Sequence, residues 1–86
     1  MSSVSKRITS DQVRAARGLL NLSGSDLAKL ANVGLSTIRR IEKPGGDEAA
    51  IPATLSAIRR ALEDAGVEFI DANGSGPGVR LKKPST

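Results

Sequence analysis

Ser36, Arg39, Arg40 and Lys43 stand three, four and seven residues along from the first of them, which puts hydrogen-bonding and cationic groups on one side of a helix. Ile38 and Ile41 fall on the other side. A helix that is apolar behind and basic in front can pack on a core and enter a DNA major groove at once. Arg40 carries a planar, multidentate guanidinium suited to the acceptor edge of guanine, and Leu35 suits a thymine methyl group. Ser23, Thr37, Arg39 and Lys43 suit phosphate oxygens instead. The same pattern also describes a small helical bundle whose basic side is simply solvated, and spacing alone leaves both readings open.

Other chemistries are poorly supplied. The 86 residues contain no His and no Cys, so imidazole catalysis, thiol chemistry, disulfides and zinc fingers are excluded. No paired carboxylates share an expected face, so the chain does not read as an enzyme, and no cofactor or metal is expected. Thirteen Lys and Arg against nine Asp and Glu give a net charge of +4, which is compatible with a nucleic-acid partner without requiring one. No apolar run approaches the ~20 residues of a membrane span, and the N-terminus lacks the apolar centre of a signal peptide. The simplest expected location is the cytoplasm, at the nucleoid.

The basic helix needs elements to hold it. Ser23 is a natural N-cap, and Asp26 three residues on completes a capping box. Leu27, Ala28, Leu30 and Ala31 give that helix an apolar side, with Ala28 small enough for a close crossing. Asn32 tolerates the left-handed conformation that ends a helix, and Val33 can fill the space beneath the turn. The second helix then starts at about Leu35. Two short helices across a three- to four-residue turn form a helix-turn-helix.

Over 8–62 the sequence resembles the phage-repressor-like (Cro/cI, or xenobiotic-response-element) helix-turn-helix regulators. Leu27, Ala28, Val33, Ser36, Thr37, Ile38 and the Ile41–Glu42 end carry the resemblance. It departs at Asn32, where the family usually has Gly, and at Gly34, often polar in the family. The resemblance implies that Gly34, Leu35, Ser36 and Arg40 face base edges. It also implies a structural ion pair between Arg17, near the end of the first helix, and Glu42, at the end of the basic helix. A DNA-facing Arg17 is the alternative.

The rest of the chain reads around this centre. Residues 1–9 form a polar arm with Lys6 and Arg7, either frayed or touching DNA. Ser10 looks like the cap of the first helix, with Ile8 as a staple, Val13, Ala16, Leu19 and Leu20 on its apolar side, and Asn21 at its end. After Pro44 the glycines Gly45 and Gly46 read as a loose turn whose amides can meet a phosphate or serve only as a linker, and Asp47 and Glu48 should point away from DNA. Ile51–Pro52 opens the last helix, whose stripe is Leu55, Ile58, Leu62 and Ala65, closed by Gly66. The tail alternates at 67–70 and 79–82 around a Gly-rich turn, as in a β-hairpin. A Gly-rich loop between two strands is a weak nucleotide-binding signal.

The expected architecture is mainly α: an arm at 1–9, a four-helix helix-turn-helix domain at 10–66, a β-hairpin at 67–82 and a disordered tail at 83–86. One basic helix reads only a few base pairs, so a homodimer on a pseudo-palindromic operator is expected, most simply as a repressor. Val67, Phe69, Val79 and Leu81 share one hairpin face. They can be covered either by the last helix or by a second subunit, and the second route makes the hairpin the dimer interface. The other functional reading is an antitoxin-like interaction module that binds a protein partner through the hairpin, with DNA contact secondary.

Overall fold

The computed structural model describes residues 7–72, 74 and 76–82. The chain is mainly α: α1 (Ser10–Leu20), α2 (Gly24–Ala31), α3 (Leu35–Glu42) and α4 (Pro52–Asp64) precede an antiparallel hairpin of β1 (Val67–Ile70) and β2 (Gly78–Leu81). Residues 1–6 of the arm expected at 1–9, and the tail expected at 83–86, lie outside the described residues.

Each helix begins and ends for a local reason. The cap of α1 is Thr9, not Ser10: the Thr9 hydroxyl accepts from the Gln12 amide, and the Gln12 side chain accepts from the Thr9 amide. Both residues are capping types, but only Thr9 has a Gln three positions later to close the box. With Ile8 2% exposed, the folded domain starts before residue 10. Ser23 and Asp26 form the same reciprocal box on α2. Asn21 and Asn32 end α1 and α2 with φ of 59°, since Asn tolerates the left-handed region better than most residues. Pro52 occupies the first turn of α4, where its missing amide costs nothing.

The core is aliphatic, built from Val13, Leu27, Ile38, Ile58, Leu62 and Val67, all nearly or fully buried. Three expected inward residues face out: Leu30 and Leu19 are 54% and 42% exposed, and Ala65 is exposed. On α2 the buried stripe runs through Leu27, Ala28 and Ala31, which leaves Leu30 at its edge.

The hairpin packs within its own chain. The register sets Val67 opposite Leu81 and Phe69 opposite Val79, so these four do share a face. α1 and α4 cover that face unevenly: Val67 is fully buried, Phe69 and Val79 are packed in part, and Leu81 stays 50% exposed. This corrects the expected assignment of Val67 to a dimer interface, because a side chain sealed inside its own fold has nothing to offer a partner. Arg59 stacks over Phe69, its guanidinium 5.4 Å from the ring centroid. Gln12 fastens the loop end of the hairpin by donating its side-chain amide to Ile70 O at 3.2 Å and Gly78 O at 2.9 Å.

Candidate nucleic-acid interface

The turn between α2 and α3 holds together by backbone bonds. The Val33 amide donates to Ala28 O at 3.0 Å, and Gly34 O accepts from the Thr37 and Ile38 amides. Gly34 is the N-cap of α3, with no side-chain cap, so the remaining first-turn amides face outward. A side chain at 34 would find open space, since a Cβ there would come no closer than 3.8 Å to Thr37 Oγ1.

From this frame α3 presents Ser36, Arg39 and Arg40, with Lys43 as the extended residue that caps its end, all exposed. Its other side buries Ile38 and Ile41. Leu35 departs from the outward role expected of it. It is half-buried against the core, and its Cδ1 lies 3.4 Å from where a Cβ on Gly24 would sit. Thr37 is also half-buried. It shares with Arg40, Gly46, Ala50, Ile51 and Thr54 a groove of about 260 Å³ between α3 and the start of α4. Ser23 stands exposed at the start of α2. Its hydroxyl accepts from the Asp26 amide at 3.0 Å and keeps its own proton to donate. The Ser23 amide, bonded to the Asp26 carboxylate, holds that carboxyl below its ordinary range.

The C-terminal end of α3 is fastened to α1 by three side chains. Arg17 grips Glu42 with both sides of its fork, Nε to Oε2 at 2.9 Å and Nη2 to Oε1 at 2.8 Å. It also donates to Leu22 O at 3.1 Å, tying in the turn before α2. The bond to Glu42 raises the Arg17 pKa above its ordinary value, against the opposing effect of burial. Arg14 donates to the main-chain oxygen of Glu42 and pairs with Asp11. The Ser10 hydroxyl lies 2.6 Å from Ile41 O and 2.8 Å from Asp47 Oδ1. These groups meet carbonyls that a helix leaves unsatisfied at its C-terminus, where positive charge is favoured.

The loop after α3 is tight, contrary to the loose turn expected from its glycines. Gly45 adopts φ 77°. The Gly46 amide donates to Lys43 O at 2.7 Å, so it is not free for a phosphate. A Cβ on Gly46 would fall 2.1 Å from Arg40 O, so glycine is required for the loop to press onto α3. Asp47 is turned toward Ser10 at the start of α1, while Glu48 is exposed.

Sequence reasoning named Arg17 and Glu42 but missed Ser10 as a bridge, expected of Asp47 only that it point away from DNA, and missed Arg14 and Gln12 altogether. Only Gln12 had a local signal, its place three residues after Thr9. Among the described residues, no group of three or more His, Cys, Asp or Glu could hold a metal ion, and no helix is long and apolar enough to cross a membrane. No family model and no curated protein matches the chain.

Proposed function

We propose that this protein is a sequence-specific double-stranded DNA-binding regulator, most simply a repressor, acting as a homodimer on a pseudo-palindromic site. The observation that supports it most is α3 itself: Ser36, Arg39 and Arg40 exposed on one side, with Lys43 exposed just past its end, on a helix whose far end is fixed to α1. A reading helix must hold its side chains in register with base edges, and fastening its end to the scaffold serves that need. In this reading Arg40 and Ser36 meet bases, with Gly34 admitting the backbone close to the groove floor and Leu35 giving only the exposed part of its side chain. Ser23, Thr37, Arg39 and Lys43 meet phosphates. Such a regulator would work in the cytoplasm at the nucleoid, controlled by abundance, proteolysis or a protein partner.

Selection of bound duplexes from a random pool tests the proposal, and one enriched sequence is the expected result. Arg40→Ala should then cost about 1–3 kcal/mol on that sequence and relax the preference at one base position. An equal loss on all duplexes would make Arg40 a phosphate contact. No enrichment at all would sink the regulator reading and leave the interaction module in its place.

A further inference from the structure

β2 is the edge of a sheet with only one other strand among the described residues. The Lys82 amide donates to Gly66 O at 2.8 Å, which makes 66 and 82 a bonded pair that continues the ladder register. Bonded and non-bonded pairs alternate in an antiparallel ladder. Glu68 with Arg80 and Ile70 with Gly78 are therefore bonded pairs, and the amides and carbonyls of Val79 and Leu81 turn away from β1. Such an open row is a template for a further strand.

Side chains restrict what that strand can be. Leu81 is 50% exposed, and Val79 adjoins a cavity of about 120 Å³ that Ala15 and Pro77 also line. An added strand thus finds apolar surface at alternate positions. Arg80 is exposed on the alternate side, and Lys82, just past β2, is exposed with its ammonium donating to Glu63 O at 3.2 Å. A second copy pairing β2 to β2 would bring these cations against their own counterparts, and like charges placed opposite destabilise a ladder. β1 shows what β2 does accept: Phe69 opposite Val79, and Glu68 opposite Arg80 with an ion pair at 2.9 Å.

We infer that the free edge of β2 docks an extended segment of another protein in which acidic residues are flanked by apolar ones. The segment adds as a third strand. Its apolar side chains lie over Val79 and Leu81, and its carboxylates meet Arg80 and Lys82. This inference goes beyond DNA binding and does not rest on it.

The test titrates the full chain with a labelled synthetic peptide carrying the β1 sequence 67–71 between Gly-Ser flanks, and with a copy in which Lys replaces both acidic residues. The acidic peptide should bind saturably, at least about tenfold more tightly than the Lys copy, since a tenfold ratio is the smallest that separates recognition from general stickiness. Leu81→Pro removes an outward amide and leaves the inward amides of residues 80 and 82 in place, so it should abolish that binding while the helices stay folded by circular dichroism. The double variant Glu68→Arg with Arg80→Glu keeps the ion pair within the hairpin and should favour the Lys copy. Equal binding of the two peptides overturns the inference. So does a Leu81→Pro protein that still binds the acidic peptide, because the basic side chains would then attract any anion, nucleic acid included. Open-ended oligomers forming without peptide would also overturn it, by making a second copy the occupant.

Discussion

α3 and the hairpin are both hung on α1, by different chemistry on opposite sides of that helix. Ser10, Arg14 and Arg17 are four and three residues apart and face α3. Their bonds go to a carboxylate and to helix-terminal carbonyls. Gln12 sits about half a turn away around the helix and holds the hairpin through a neutral amide, while Val67 is buried in the core. One attachment is ionic and fixes the orientation of a helix end. The other is neutral and closes a small sheet that has too few strands to stand alone. The difference makes α1 the scaffold for two surfaces with chemically distinct fastenings, and breaking either fastening alone tests whether the surfaces are separable.

The largest effect should come from the ionic side. Breaking a fully buried pair costs about 3–5 kcal/mol. Here the side chains of Arg17 and Glu42 keep 28% and 12% exposure, so water can partly solvate a stranded guanidinium. We expect Glu42→Ala to lower stability by about 2–3 kcal/mol, measured by urea unfolding. Amide exchange should quicken more in α3 than in β1 and β2. A variant that melts like the parent would show that Arg14 and Ser10 suffice to hold the helix end.

A smaller loss should follow from Gln12→Ala, which removes two amide bonds to hairpin carbonyls and half of the α1 capping box. The side chain is nearly buried, so water replaces it poorly, and about 1–2 kcal/mol is expected. Here exchange should quicken more in β1 and β2 than in α3. If both variants loosened both regions equally, the two surfaces would be one cooperative unit and the comparison would fail.

What the sequence showed and what it hid divide along the same line. Local signals were legible: the Ser23–Asp26 box, the two helix-ending Asn residues, the four helices and the hairpin face all follow from residues within a few positions of each other. The Thr9 cap was misplaced by one residue because Ser10 looked equally suitable until Gln12 is counted. The fastenings of α1 were mostly illegible. Ser10 meets Asp47 across 37 positions, and Gln12 reaches Gly78 across 66, distances at which no periodicity carries information. Arg17 with Glu42 was anticipated only through a family resemblance. Leu30 and Ala65 were misjudged because an apolar residue at the edge of a stripe faces inward or outward according to which neighbour arrives beside it.

Acid should sharpen the contrast most gently of all. Asp47 Oδ1 accepts from the Ser10 amide at 3.2 Å, and the Ser10 hydroxyl, with one proton for Ile41 O and Asp47 Oδ1, lies 2.8 Å away. Burial pushes this carboxyl upward, but the bonds from Ser10 and from its own amide, with Arg7 nearby, outweigh burial and hold it below its ordinary value. A carboxyl depressed in the folded state binds protons more readily when the chain is unfolded. Its contribution is therefore present above the unfolded value of about 4 and is lost as pH falls through the folded one. Gln12 is neutral and imposes no such slope. Glu68 is also depressed, by Arg80, but that pair is exposed and contributes little. Thermal melts of the parent and of Asp47→Asn, run from about pH 6 down to about pH 2.5, isolate the Asp47 part, since all other carboxyls are common to both proteins. The variant should be less stable near neutrality, by under about 1 kcal/mol, and the gap should close in acid. A gap that stays constant would mean that Asp47 holds Ser10 by shape rather than by charge, and the ionic character of the α3 side would then rest on Arg14 and Arg17 alone.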